Sequence, residues 1–422
     1  MQRAPMRIKN PHLIVILLLW SQSTTIAEPS AKRDPRRFYV APHSVGEGSG
    51  DSEVSAAYFR TSEIWSKVHQ TIQERPVTVS FLDGIYTISS DAPQAMPPLA
   101  LSKLGHKEHQ LVLEGISKEG VVFTRLSTDP SDGDTGPGFL ELTDSENVVV
   151  RNLHFTGSQP IGCPTYFGGS KNVLIERCSW IDLPGVKFGA TATSFSADHV
   201  TYSDCVFKRV GTGTSTHMSY NSDGAKHIAF INCLFEDCTG DYVRFRSGAD
   251  FGIVAGCTFK STGKKPGTNV PFISVSVFNN DDPNKPSETA SYEYLGTHFL
   301  ITNNTFDYPR ESTTGARIAI VFHHSGFDPP GRRYLLTSQE AEILAKAPIN
   351  ERRALLFHNC GLSAEHIHMF DNRFSSVEVE VGYRSQPLYG AKSKGWGGVV
   401  DITETVNKST FVDAEGALKF FD

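Results

Sequence analysis

From residue 147 onward, apolar and polar positions follow one nine-residue pattern that recurs seven times, starting at Asn147, Asn172, His199, His227, Phe251, His298 and His366. The first and third residues after each start are mostly apolar, as in Val148 and Val150, Val173 and Ile175, or Ile228 and Phe230. That is the period of a strand with one face turned inward. The fifth is mostly Asn, Asp, Arg or Gly, which suits a bend. The sixth is Leu153, Cys178, Cys205, Cys233, Cys257, Asn304 or Asn372, and the eighth is always aromatic: Phe155, Trp180, Phe207, Phe235, Phe259, Phe306, Phe374. Both point inward from a second strand.

A unit of this kind cannot bury its apolar face alone, but stacked copies can. The first four gaps between starts, 25, 27, 28 and 24 residues, suit one coil of three short strands, and the last two, 47 and 68, call for inserted loops. In a parallel stack successive coils lie ~4.8 Å apart, so like residues fall on like. The predicted fold is therefore all-β, a single right-handed parallel β-helix over residues 38–422. Residues 38–105 read as an N-terminal cap and first strands. There Phe38 to Val40 predict a strand, Gly46 to Ser52 a loop, Tyr58 to Glu74 a helix, and Val77 to Leu82 and Tyr86 to Ser89 paired strands. Residues 329–360 read as a helical insert, with Thr337 and Glu340 as a capping box and a helix from Ser338 to Ala347, before Pro348.

Composition supports this reading. The chain has 36 Gly, 27 Phe and only 5 Met, a balance that leans towards strands. Arg3, Arg7 and Lys9 precede the apolar run Leu13 to Trp20, and Thr25-Ile26-Ala27 supplies small residues before a cut. Residues 1–27 thus read as a secretory signal peptide, 28–37 as a linker, and the product as secreted or periplasmic. The run is far shorter than the ~20 residues of a membrane span, so none is expected after cleavage. Net charge is −6, near −9 without the leader, which points to neither nucleic acid nor a membrane surface.

The stack also disposes of some apparent chemistry. Cys178, Cys205, Cys233 and Cys257 read as a ladder of buried thiols, because parallel Cβ vectors suit a disulfide poorly. One bridge is open among Cys163, Cys238 and Cys360. His199, His227, His298 and His366, which open coils, are expected to be structural.

Chemistry is then sought on the strands between one aromatic position and the next start: Gly185 to Thr191, Thr216 to Gly224, Asp241 to Gly248, Phe272 to Asn279 and Ala316 to Ser325. If these are successive strands of one sheet, Lys187, His217, Tyr220, Asp223, Arg244, Arg246, Arg317, His323 and His324 line a shared groove. Arg244 and Arg246, two apart, share a face, while Val243 and Phe245 go inward. Paired guanidinium groups suit carboxylate or sulfate recognition.

The Phe38-Tyr39-Val40 strand, the Gly- and Ser-rich loop and the repeat resemble the pectate-lyase-like β-helix superfamily, mostly enzymes of acidic polysaccharides. Within it, Arg246-Ser247-Gly248 is similar to the Arg segment of alginate lyases and chondroitinase-B-like lyases. Their Lys would fall near Asp223 or Gly224, leaving Lys226, His217 or Tyr220 as replacements. Asn221-Ser222-Asp223-Gly224 and Gly240-Asp241-Tyr242 resemble polygalacturonase motifs, with Tyr242 at the second Asp and no Gly-His-Gly. The resemblance implies an enzyme that cleaves an acidic polysaccharide by β-elimination. Arg246, Arg244, His217, Tyr220 and Lys187 would be catalytic, and Asp223, Lys226, Asp241, Arg317, His323 and His324 would bind substrate. A hydrolase using Asp223 and Asp241 and a non-catalytic glycan-binding or adhesive β-helix stay open. So do the oligomeric state and any cofactor, Ca²⁺ at acidic clusters such as Asp281-Asp282 included.

Overall fold

A computed structural model describes residues 34–88, 99–125, 138–263 except 212 and 214, 270–279, 296, 298–309, 317–326, 346, 367–386, 399–401 and 403. The leader, Asp281-Asp282, Cys360, His366 and the insert apart from Lys346 lie outside the described residues.

Three parallel sheets of eleven, nine and ten strands wind around a common interior. Each coil contributes one strand to each sheet, and the winding is that of a right-handed parallel β-helix. One full turn runs through His217–Asn221 on the third sheet, Lys226–Ile231 on the first and Leu234–Cys238 on the second. Next it meets the third sheet again at Val243–Arg246.

The bends explain the polar letters of the repeat. The opening residues Asn147, Asn172, His199, His227, Phe251 and His298 have φ between 51° and 65°, and the fifth-position residues Asn152, Arg177, Asp204, Asn232 and Asn303 between 51° and 56°. Asn, Asp and His tolerate this left-handed conformation better than most. Phe251 adopts it too, its ring stacked between His227 and His298 at centroid distances of 4.8 and 4.5 Å.

Inside, rings stack from Phe155 through Trp180, Phe207, Phe235, Phe259 and Phe306 to Phe374, with centroids 4.5–5.3 Å apart. The file starts two coils earlier than the repeat shows, with Tyr86 and Phe123. The thiol column has a use beyond filling space. Cys205, Cys233 and Cys257 point their Sγ atoms at the carbonyls of Ile175, Tyr202 and Phe230 on the preceding coil, at 3.5, 3.4 and 3.3 Å. Asn304 and Asn372 place Nδ2 in the same role, 2.8 Å from the carbonyls of Val254 and Ile301. From Cys205 onward the column therefore places a donor beside a carbonyl of the preceding coil, a role Cys and Asn share, and Asn304 and Asn372 also accept from backbone N–H groups. Cys163, Cys178, Cys205, Cys233, Cys238 and Cys257 are free thiols.

At the N-terminal end, strand Arg36–Ala41 pairs with Val77–Phe81, and helix Ser62–Ile72 buries Ile64, Trp65, Val68 and Ile72 beside it. The helix is shorter than Tyr58 to Glu74, because Tyr58 pairs with Ala41 in extended form. The two following strands are not paired with each other. Val77–Phe81 joins the first sheet and Gly84–Ile88 the second, with Asp83-Gly84 turning the corner.

Candidate functional site

The third sheet presents the groove. Its strands Thr165–Gly168, Gly189–Ser194, His217–Asn221, Val243–Arg246, Ile273–Asn279 and Ile318–Gly326 follow one another in parallel register. One file reads Glu141, Tyr166, Ala192, Tyr220, Arg244, Ser274, Val321. Arg246, Ser276 and His323 align in a second. By alternation these point outward, while Thr193, Asn221, Phe245 and Val275 point in.

The wall behind the groove is polar, which the inward pattern of the repeat did not suggest. The Tyr202 hydroxyl lies 2.9 Å from both the Thr191 and Thr193 hydroxyls. Trp180 Nε1 donates to Thr165 Oγ1 at 3.1 Å, and Asn221 Nδ2 to the Arg244 carbonyl at 3.0 Å. Buried polar groups satisfied in this way fix the strands that carry the outward residues.

The two arginines have different partners. Arg244 meets Asp241, with Nε and Nη2 at 3.0 and 2.6 Å from Oδ2, and Ser274 Oγ donates to the same oxygen at 2.6 Å. Burial would raise the Asp241 carboxyl, yet Arg244 and the hydrogen bonds hold it below its ordinary value. Arg246 Nη1 instead donates to the Tyr220 hydroxyl at 3.1 Å. His217 stacks against Tyr220 at 5.5 Å, with Nδ1 3.3 Å from the Asp241 carbonyl. A carbonyl only accepts, so Nδ1 carries the proton. Burial, and then the nearby Arg244 charge, push the His217 pKa down to about 3. His217 is therefore a neutral ring at neutral pH, 1% exposed, and it orients Tyr220 from below.

The other candidates disperse. Lys187 stands on the turn before Gly189, its ammonium 5.8 Å from the Phe188 ring centroid. Asp223 sits at the corner leaving the third sheet, in left-handed conformation, accepting from Ser222 Oγ at 2.8 Å. Lys226 lies around that corner on the first sheet, in register with Asp198, so it is not available to the groove. Arg317 begins its strand paired to Glu378 at 2.9 Å. His323 is buried on the Arg246 file, and the side chain of His324 lies outside the described residues.

Sequence reasoning missed the aromatic recess beside Tyr220. Ala192 forms its floor, and Tyr166 and Tyr220, both in register with Ala192, form its walls. Phe188 and Phe195, 46% and 67% exposed, stand at the two ends of the same strand. Tyr166 bonds Ser194 at 2.9 Å and meets the Phe195 ring edge-on. Glu141 lies next to Tyr166, its carboxyl raised by burial against the opposing N–H of Gly138. Scattered aromatics in a Phe-rich chain carry no periodic signal, which is why the pattern did not show them.

A cleft of about 700 Å³ on the second sheet, lined by His154, Arg177, Ser179 and Asp204, is remote from this groove. His154 is engaged there at both nitrogens, with Ser179 Oγ and the Lys118 carbonyl each at 2.7 Å, and so holds a loop in place.

No protein-family model matches the chain, and no curated protein matches it. Solved structures do. A pectate lyase, Pel9A, aligns at 12% identity and TM-score 0.44 over 75% of this chain and 86% of its own. A rhamnogalacturonan lyase aligns at 13% and 0.43 over 69% and 75%. PfbA, a surface adhesin of Streptococcus pneumoniae, aligns at 13% and 0.40 over 85% and 96%. This likeness assigns no activity. It concerns how the chain winds.

Proposed function

We propose that the protein is a secreted enzyme that cleaves a uronate-containing polysaccharide by β-elimination in the groove of the third sheet. The observation that carries this reading is the Arg246–Tyr220 pair on the outward face, beside an aromatic recess.

β-Elimination needs a cation at the uronate carboxylate, which makes the adjacent C–H acidic, and a base within reach of that proton. Arg246 supplies the cation. Arg244, already engaged by Asp241, holds the strand and the floor instead. A guanidinium that donates to a phenol oxygen favours the phenolate, so Tyr220 is the group that takes the proton. The electron pair of the broken C–H bond forms the new double bond. The glycosidic C–O bond breaks, and the departing oxygen takes up a proton from Tyr220 or water. Pyranose faces stack well on exposed aromatic rings, and Phe188 with Lys187 and Phe195 with Tyr166 would flank the chain.

The hydrolase alternative is weaker on geometry. Asp241 lies beside the start of strand His217–Asn221 and Asp223 two residues past its end, so the whole strand, about 13 Å long, separates their backbones. Inverting pairs need roughly 6.5–9.5 Å. Asp241 is also held by Arg244.

The test is incubation of the protein with a panel of acidic polysaccharides, reading ultraviolet absorbance and reducing ends together. Elimination raises both. Reducing ends without absorbance would replace the lyase by a hydrolase, and binding with unchanged chain length would leave a glycan-binding protein.

A further inference from the structure

Away from the groove, three metal-ligating side chains meet on the outer face of the first sheet. Asp198 opens the strand Asp198–Ser203, His199 follows it, and His227 stands one coil on. His199 Nδ1 lies 2.9 Å, and His227 Nδ1 2.6 Å, from one and the same oxygen, Oδ1 of Asp198. All three ligating atoms fall within 4.8 Å of one another. The two rings stack at 4.3 Å. Parallel stacked rings would ordinarily aim their nitrogens side by side, but here both Nδ1 atoms are directed at a single point. The backbone sets this up, because both histidines occupy the left-handed opening position of their coils, with φ of 55° and 51°. All three residues are half-buried, which leaves one side open to water.

We infer that Asp198, His199 and His227 form a binding site for a divalent first-row transition metal that ties two successive coils together. A neutral imidazole presents its Nδ1 lone pair once its proton moves to Nε2, so binding needs no net proton release from the rings. Two imidazole nitrogens and a carboxylate oxygen make an N,O donor set, which suits nickel or copper with water in the remaining positions. Lys171 and Lys226 stand in register on either side of Asp198, both exposed, and their charge opposes the ion.

The repeat itself supplies the control. Phe251 holds the same opening position one coil beyond His227, at φ 52°, stacked on the His227 ring. The fold thus accepts a ring without nitrogens, and His227→Phe removes a ligand while keeping the stack. The full chain without a polyhistidine tag is titrated calorimetrically with nickel chloride. One ion is expected per chain. His227→Phe should weaken binding about tenfold or more, with an unfolding midpoint in chelator lowered only slightly by loss of the bond to Asp198, and His199→Phe gives the same comparison if the first variant folds poorly. Saturating nickel should raise the unfolding midpoint of the natural sequence and not that of the variants, and Lys226→Ala should tighten binding. Absence of heat with the natural sequence, or nickel affinity in both Phe variants equal to that of the natural sequence, overturns the site.

Discussion

The outer faces of the first and third sheets carry similar residues in different company. On the first sheet charge answers charge. Glu146, Lys171, Asp198, Lys226 and Asp250 alternate in sign along one file. Nearby, Glu114 is held by Arg37 at 2.6 Å and Arg151 at 2.5 Å, and Glu176 by Arg177 at 2.8 Å. On the third sheet Arg246 meets the Tyr220 phenol, and the exposed Phe188 and Phe195 flank a strand two coils earlier. A solenoid repeats its coil for stability, and a face whose charges cancel rung by rung serves that end. The third-sheet face instead sets a guanidinium against a phenol.

The largest expected effect is on Arg246→Ala. Turnover on the responsive polysaccharide should fall by about 10²–10³, while the unfolding midpoint stays close to that of the natural sequence. Arg151→Ala should do the reverse. If Arg246→Ala degrades its substrate normally, the contrast between the faces loses its meaning. Tyr220→Phe keeps the stack on His217 and removes only the hydroxyl. Its kcat should drop about 10²-fold with little change in KM, and an unchanged kcat would move the base elsewhere.

A third expectation concerns stability and pH. Burial would raise the Glu114 carboxyl, but Arg151 and Arg37 hold it below its ordinary value. A depressed carboxylate stabilises the fold above its unfolded pKa of about 4.3, and that contribution fades as pH falls through the folded value. Glu114→Gln should therefore cost about 1 kcal/mol at pH 7. The gap to the natural sequence should close below about pH 4, as read by denaturant titration at several pH values. The smallest effect is on Lys226→Ala, within about 0.5 kcal/mol and with full activity. Lost activity there would return Lys226 to the groove.

How much of this was legible depends on what repetition can encode. The inward aromatic file was readable because a parallel stack places Trp180, Phe207 and Phe235 over one another. Tyr86 and Phe123 escaped because their coils lack the opening Asn or His and run through longer corners. Period-two alternation correctly set Arg244 and Arg246 on one face. It could not reveal that Asp241, on the loop before the strand, would take Arg244 and leave Arg246 to Tyr220. Lys226 misled for a similar reason. It is near Asp223 in sequence, but a left-handed corner at Asp223 and Gly224 carries it to another sheet.

The column of thiols that donate to carbonyls has a practical consequence. The described cysteines of this column serve as donors and need no oxidant, and reducing agents should leave the melting of this core unchanged. Cys178, Cys205, Cys233 and Cys257 are each sealed inside one coil, and burial pushes the Cys178 thiol up to about 12. An alkylating reagent can reach each sulfur only when its own coil opens. Timed trapping of these four positions would then read, rung by rung, from which end the solenoid unwinds.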